Sequence, residues 1–392
     1  MGHEIKGGKT TAIVYGDYPD NSETGQIYEL LDSPAHEGCP IRIMPDHHAG
    51  KGCVIGFTSP LKMESLKIIP NLIGVDIGCG IQAVKLEGKL PNKVVSLLPE
   101  FDKYLRSKVP SGFSSFEKAS KRREWLYHWW FDSKWSDFED EVENLSKRAG
   151  TDSQKVWLSC GTLGGGNHFI EINQGQTDDL YLAVHSGSRN FGLKVATFHQ
   201  NNAAKIMGRK NGLEWLEGDN AESYLRDMRV AQRFAMLNRL IMLDNLTEFF
   251  DLKLKDCEIV TSVHNYIGSD NIIRKGAISA NEGETVIIPF NMADGIVIGT
   301  GLGNEDWNNS APHGAGRKMS RSQAKKEIGL GEFKKVMKDA NVWSSCISQG
   351  TVDESPMAYK DAESILSYIS ETVSVTDKLK PIYNFKAGGE HV

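Results

Sequence analysis

A chain of 392 residues, 40% hydrophobic and 24% charged, has the makeup of a soluble globular protein and can bury a core without disulfides or structural metal. No apolar stretch approaches the roughly 20 residues of a membrane span. The start Met1-Gly2-His3-Glu4-Ile5-Lys6 lacks the apolar centre of a signal peptide, so a cytoplasmic protein without membrane contact is expected. The net charge of −6 argues against a protein that coats polyanions through its overall field and leaves nucleic-acid contact to a local basic patch.

From the N-terminus, β-type runs between glycine-rich turns are expected at 41–44, 54–57 and 81–84. The stretch 116–147 reads as helix, with Trp125 and Trp129 one turn apart and expected to anchor the core rather than stack on bases. A strand follows at 180–184. A long helix at 221–245, after Gly218-Asp219-Asn220, carries Leu225, Met228, Phe234, Leu237 and Ile241 near helical spacing, and a strand is expected at 285–288. No proline- or serine-rich linker and no repeat divides the chain, so residues 1–392 are expected to form one mixed α+β (α/β) domain. Its 39 glycines gather at 74–80, 161–166, 187–192 and 299–303, where backbone can approach a ligand, so the site is expected to be built from distant loops.

Two basic clusters, Lys121-Arg122-Arg123 and Arg317-Lys318-Met319-Ser320-Arg321, are the candidates for a local patch, against the plainer reading of solvated helix faces. Six scattered cysteines (Cys39, Cys53, Cys79, Cys160, Cys257, Cys346) form neither a zinc pair nor a disulfide framework. Among them Cys79 stands out, because Gly74-Val75-Asp76-Ile77-Gly78-Cys79-Gly80 puts an acid and a thiol three residues apart, able to converge on one cation.

Gly164-Gly165-Gly166-Asn167-His168-Phe169-Ile170-Glu171 exposes backbone N–H groups suited to phosphate and leaves His168 free to point inward. His185-Ser186-Gly187-Ser188-Arg189 sets a histidine at a strand end with a cation four residues on, and Val263-His264-Asn265-Tyr266 follows another apolar run. In Pro312-His313-Gly314-Ala315-Gly316-Arg317 an imidazole that can attack phosphorus lies near a guanidinium that can neutralise the charge it develops. Singly, each histidine is better explained by a structural role.

Together with RKGA at 274–277, GLGNE at 301–305, SR at 320–321 and PMAYKD at 356–361, these blocks resemble, in order, the signature of the RtcB RNA ligase family, from Met44-Pro45-Asp46 to the tail. The resemblance implies an RtcB-type domain with a β-rich core and a loop-built dinuclear metal site. The implied enzyme joins RNA 3′-phosphate or 2′,3′-cyclic phosphate ends to 5′-hydroxyl ends, using GTP and two Mn²⁺ ions per site. Carried onto this sequence, the metal ligands are Asp76, Cys79, His168, His185 and His264. Cys79 bridges, Asp76 and His168 hold one ion, and His185 and His264 hold the other. Donor softness alone would point to zinc, so manganese rests on the resemblance.

His313 corresponds to the guanylylated nucleophile, and guanine-nucleotide contacts fall on Asn167, Phe169, Glu171, Asn265, Asn291, Gly314, Ala315, Gly316, Tyr359 and Lys386. For Tyr359, stacking on the base and core packing are equally open. Arg189 and Arg317 match positions suited to RNA phosphates. A monomer is expected, and an activating protein partner is left open.

The sequence departs from the family pattern in several places. Phe290-Asn291-Met292-Ala293 replaces a glycine-serine-methionine-glycine block; Asn291 keeps hydrogen-bonding ability, whereas Ile296, in place of a second serine, does not. His47 and Ala49 flank His48 where valine and leucine are usual, and six residues follow Lys386. This divergence suggests repair of cleaved RNA rather than tRNA splicing. The rival readings are a metal-dependent cyclic phosphodiesterase, which needs neither His313 nor Lys386, and a non-catalytic RNA-end binding protein.

Overall fold

A computed structural model of the chain describes residues 2–387; of the tail beyond Lys386, all but Ala387 lies outside the described residues. The architecture is mixed α+β. A seven-stranded sheet runs in the order Ile259–Val263, Gly80–Lys85, Leu180–Ser186, Phe169–Gln174, Val373–Lys386, Ile296–Gly301, Thr285–Pro289, antiparallel throughout. Its edge strands curl toward each other until the Ile287 amide donates to Ser262 Oγ at 3.0 Å. The nearly closed barrel is filled by Ile81, Ala83, Ala183, Val260, Ile287, Ile296 and Leu379. A six-stranded sheet, Gly2–Lys6, Thr11–Tyr15, Ile41–His48, Ile55–Pro60, Ile272–Lys275, Asn265–Ile267, lies beside it, with one parallel pair between Thr11–Tyr15 and Ile41–His48.

Strand register decides what faces the site. Side chains alternate across a sheet, so residues paired across neighbouring strands share a face. His185 pairs with Phe169, and Phe169 with Lys386, which sets three candidate residues in one cross-strand row. Glu171 and Asn384 form the row two residues along. The intervening row, Val184, Ile170 and Phe385, turns to the other face and joins the main core. There the 30-residue helix Gly218–Thr247 packs against Leu180–Ser186 and against the helix Arg189–Met207. Phe234, Leu237 and Ile241 of the expected apolar stripe are fully buried. No helix among the described residues is long and apolar enough to cross a membrane.

The helix expected over 116–147 is two helices, Arg123–Phe131 and Trp135–Arg148, broken where Asp132 adopts a left-handed φ of 48°. The tryptophan expectation is corrected as well. Trp125 and Trp129 lie on the outer face, 40% and 37% exposed, while Leu126 and Tyr127 of the same helix are buried, Tyr127 stacked on Phe138 at 4.4 Å. Residues one position apart sit about 100° apart around a helix, so anchoring by Leu126 and Tyr127 turns the tryptophan pair away.

Phe234, whose ring is 5.1 Å from Phe191 and 5.7 Å from Trp157, should lose about 3–5 kcal/mol on Phe234→Ala, against under about 1 kcal/mol for Trp125→Ala. Urea denaturation of the two variants checks the contrast; equal losses would contradict it.

Candidate active site

Four separate segments deliver the expected metal-binding side chains to one place. Cys79 immediately precedes the strand Gly80–Lys85, His185 lies near the end of Leu180–Ser186, His168 immediately precedes Phe169–Gln174, and His264 follows Ile259–Val263. Pairing of Gly80 with both Ser186 and Val263 aligns three of these ends. Cys79 Sγ lies 3.5 Å from His168 Nε2 and 3.4 Å from His185 Nε2; His185 Nε2 is 3.4 Å from His264 Nε2, and His168 Nε2 is 3.1 Å from Asp76 Oδ2. The donors form two groups that share the thiol, Asp76–Cys79–His168 and Cys79–His185–His264, each with its ligand atoms within 4.8 Å of one another.

The donor chemistry fits a pair of cations. His168 Nδ1 is 2.9 Å from the Leu163 carbonyl, a partner that would keep a proton there and free Nε2 for a cation bound with Asp76 and Cys79. Burial, then neighbouring cationic groups, holds His185 and His264 well below the usual imidazole range, neutral and able to ligate. Burial and the Asp76 carboxylate push the Cys79 thiol well above its usual value, so a bound cation would have to displace its proton. Asp76 is ionised despite burial, held down by His168 and Arg189, and accepts the Ser188 amide at 3.0 Å.

His313 stands beside this cluster, its ring centroid 4.7 Å from that of His264. Behind it lies Asp46, fully buried, with Oδ2 2.7 Å from His313 Nδ1. The contact is close without being an aligned hydrogen bond, since Nδ1 has no partner of proper angle. The same Oδ2 accepts the His313 and Gly314 amides at 3.2 Å, fixing the loop as well as the ring. With Nδ1 facing a carboxylate, Nε2 is the nitrogen left for chemistry.

A cavity of about 310 Å³ opens from the cluster and is lined by Asp76, Cys79, His185, His264 and His313 at one end. The expected nucleotide contacts Asn167, Phe169, Glu171, Asn265, Asn291, Gly314, Ala315, Gly316, Tyr359 and Lys386 all line it, as does Arg317. Lys386 Nζ lies over the Phe169 ring at 5.4 Å and donates to the Asn167 carbonyl at 3.2 Å and to Glu354 Oε2 at 3.1 Å. Of the two roles left open for Tyr359, its ring packs against two apolar clusters, and it also borders the cavity. Its hydroxyl donates to Glu354 at 2.6 Å under the Arg317 guanidinium.

Two buried carboxylates in this cavity diverge. Burial pushes Glu171 up to about 7, against hydrogen bonds from Asn384 and Asn173 and the charge of Lys386. Burial also pushes Glu354 upward, but Lys386, Arg321 and Arg317 outweigh it and hold that carboxyl at about 2.

The two expected RNA-contacting arginines are placed differently. Arg317 lines the cavity but is engaged, donating to the Asp353 carbonyl at 2.6 Å and the Met319 carbonyl at 3.2 Å. Arg189 lies behind His168, its guanidinium 3.4 Å from His168 Nδ1 and close against Gly164, and is not part of the cavity wall. Ile296 packs into the barrel core, so the missing serine hydroxyl at that position does not reach the cavity. Asn291 accepts the Ala293 and Asp294 amides with its side-chain oxygen, capping the turn it borders. Sequence reading assigned no role to Asp46, His48 or Glu354. The first two lie in the early Pro45–Gly50 block and the third just before PMAYKD, so proximity to those blocks was the available signal.

The donor set, an imidazole backed by a carboxylate and a cavity walled by cations make up a candidate metal-dependent active site. The chain matches the family described as tRNA-splicing ligase RtcB over residues 32–387. It is 33% identical over 377 residues to RNA-splicing ligase RtcB of Escherichia coli K12, covering 87% of this chain and 88% of that protein. Against the tRNA-splicing ligases RtcB of Nanoarchaeum equitans and Aeropyrum pernix the identities are 26% over 415 residues and 28% over 402, with 86% and 82% of this chain and 84% and 82% of those proteins covered. The chain belongs to the RtcB family.

Because the thiol is shared, Cys79→Ala should abolish binding of both cations, whereas His264→Ala should spare the Asp76–Cys79–His168 group and leave about one per chain. Equilibrium dialysis with Mn²⁺ checks this; two ions retained by Cys79→Ala would show that the thiol does not bridge.

Proposed function

We propose that the protein is an RNA ligase that joins RNA 3′-phosphate or 2′,3′-cyclic phosphate ends to 5′-hydroxyl ends through a guanylylated His313, as a single ligase domain. The observation that carries this reading is the placement of His313. Its ring touches the candidate metal cluster on one side and is held by buried Asp46 on the other, and it lines a cavity of about 310 Å³.

Asp76, Cys79, His168, His185 and His264 would hold two divalent cations, manganese by family likeness, and these would neutralise charge on the phosphoryl oxygens. The remaining steps belong to the chain's own residues. GTP lies in the cavity with its base toward Glu171 and Lys386, where an ionised carboxylate accepts from the guanine N1–H and N2–H₂ and the ammonium donates to O6. His313 Nε2 attacks the α-phosphorus; the new P–N bond replaces the bond to the bridging oxygen, and pyrophosphate leaves. Asp46, facing Nδ1 at 2.7 Å, stabilises the cationic ring that develops.

An oxygen of the RNA 3′-phosphate then attacks the same phosphorus. The P–N bond breaks, His313 is restored, and the RNA end is joined to GMP through a new anhydride. Attack of the 5′-hydroxyl on the RNA phosphorus expels GMP and forms the phosphodiester. A cyclic phosphate end must first be opened by water. The altered turn Phe290-Asn291-Met292-Ala293 at the cavity favours a specialised role in repairing cleaved RNA. Ligation of broken tRNA and rRNA fragments should proceed in preference to spliced tRNA halves, and the reverse preference overturns that role.

Incubation with GTP labelled in the α-phosphate should leave acid-labile label on the wild type and none on His313→Ala. Asp46→Asn should acquire it about 10²-fold more slowly or worse. Cyclic-phosphate opening without any label would instead identify a phosphodiesterase.

A second outcome follows from Glu171. The carboxylate must be ionised to accept from guanine and titrates at about 7, so a non-hydrolysable GTP analogue should bind about tenfold more weakly at pH 6 than at pH 8. In Glu171→Gln this dependence should flatten, and an unchanged pH profile would remove Glu171 from base recognition.

A further inference from the structure

Of the two basic clusters legible in the sequence, one has both its arginines engaged. Arg122 pairs with Asp244 and Glu248, and Arg123 pairs with Glu139 and covers the rings of Trp135 and Trp157. The other is the start of something larger. Between Arg317 and Asp339 the chain holds eight basic residues and three acidic ones, within a protein of net charge −6.

This segment folds as two helices, Arg321–Glu327 and Leu330–Asp339, on a small core of their own. Ala324, Ile328, Phe333 and Met337 pack there with Met292 and Ala358. Met292 borders the cavity and Ala358 precedes Tyr359, so the lobe is built onto the cavity wall. Its inner cations are engaged, since Arg317 and Arg321 reach Glu354 and Lys325 reaches Asp353. Its outer ones are not. Lys318, Lys326, Lys334, Lys335 and Lys338 are exposed, and among the described residues none of them is seen in an ion pair.

The second helix shows why they align. Burial of Phe333 and Met337 one turn apart turns Lys334 and Lys338, also one turn apart, and Lys335 toward solvent. These lysines belong to the same lobe as Arg317 and Arg321, which line the cavity. Such a surface suits a ligand with repeated negative charges and no required sequence. Lysine acts as a flexible point charge, without the planar fork that reads a base edge.

We propose that the lobe 318–338 docks the phosphodiester backbone of the single-stranded RNA whose end enters the cavity. The proposal rests on the ligase reading for its substrate and adds the surface that holds it. Five lysines meeting successive phosphates would provide sequence-independent, salt-sensitive affinity.

The test compares K326Q/K334Q/K335Q/K338Q with wild type and with K93Q/K103Q/K155Q/K253Q, which removes four exposed lysines elsewhere. Binding of a fluorescent single-stranded RNA with a 3′-phosphate is followed by anisotropy across a salt series, and α-labelling of His313 by GTP alone reports that each variant is folded. The lobe variant should bind at least about tenfold more weakly at low salt, with its log–log salt slope reduced by roughly 2 to 3, at ~0.7 per lost phosphate contact. It should still acquire label, and the control variant should bind as the wild type does. Affinity and slope equal to wild type in a labelled lobe variant overturn the surface and leave the ligase reading standing. A wild type that binds RNA through the lobe but never acquires label overturns the ligase reading and leaves the surface. A wild type that binds no RNA overturns both.

Discussion

The site depends on two polar side chains buried in the middle of the helix Gly218–Thr247. Asn238 accepts the Gly161 and Thr162 amides at 2.7 and 3.0 Å and donates to the Gly187 carbonyl at 3.1 Å. Arg239, next to it, donates to the carbonyls of Gly78 and Ser186 at 2.9 and 2.7 Å. Three glycine-rich turns, those leading to His168, following His185 and carrying Cys79, are thereby fixed to one rigid rod. Burying a guanidinium costs several kcal/mol, and burial lowers Arg239 to about 10, so it is still charged at neutral pH. What offsets that cost is satisfaction of turn carbonyls that would otherwise be buried without partners. The donors around Cys79 converge to within about 5 Å because the loops that carry them cannot drift independently.

Above that foundation, charge is sorted by environment rather than by residue type. Glu354 and Glu171 line one cavity and are both buried, yet one is held at about 2 and the other rises to about 7. The difference lies in their neighbours. Glu354 receives Lys386, Arg317, Arg321 and the Tyr359 hydroxyl, while Glu171 is met mainly by neutral amides. Glu354 thus gathers the cations that wall the cavity into a fixed arrangement. Glu171 keeps lone pairs that its few partners do not use, as a carboxylate meant to meet a ligand would.

Much of this was legible in the sequence, and the parts that were not have physical reasons. The strands at 41–44, 81–84, 180–184 and 285–288 and the helix at 221–245 stood out because each buries apolar residues at its own period. The five metal-ligand candidates and His313 were legible as blocks, and the structure brings them together. The strand Val373–Lys386, which seats Lys386 opposite Phe169, was not read. Asp377 in an apolar position, Pro381 and Ile382 in a polar one interrupt its alternation, and the register shifts between Pro381 and Tyr383. Asp46 escaped because its role lies entirely in a contact across 267 residues. The tryptophans misled for a simpler reason. Helical spacing marks a shared face without saying whether that face is the buried one.

The remaining tension is between a negative chain and a polyanionic substrate. Screening resolves it, because beyond about 8–10 Å at moderate ionic strength a phosphate responds only to charges near it. Around the cavity those charges are Arg317, Arg321, Lys386 and the lysines that follow, while the carboxylates facing them, Glu354 and Asp353, are buried beneath cations. The rest of the surface has an anionic excess that repels the same ligand. A negative body with one cationic margin therefore does more than a uniformly basic one. On the proposed reading it would confine a strand to the approach that ends at His313, and the net charge would become part of the targeting rather than an argument against it.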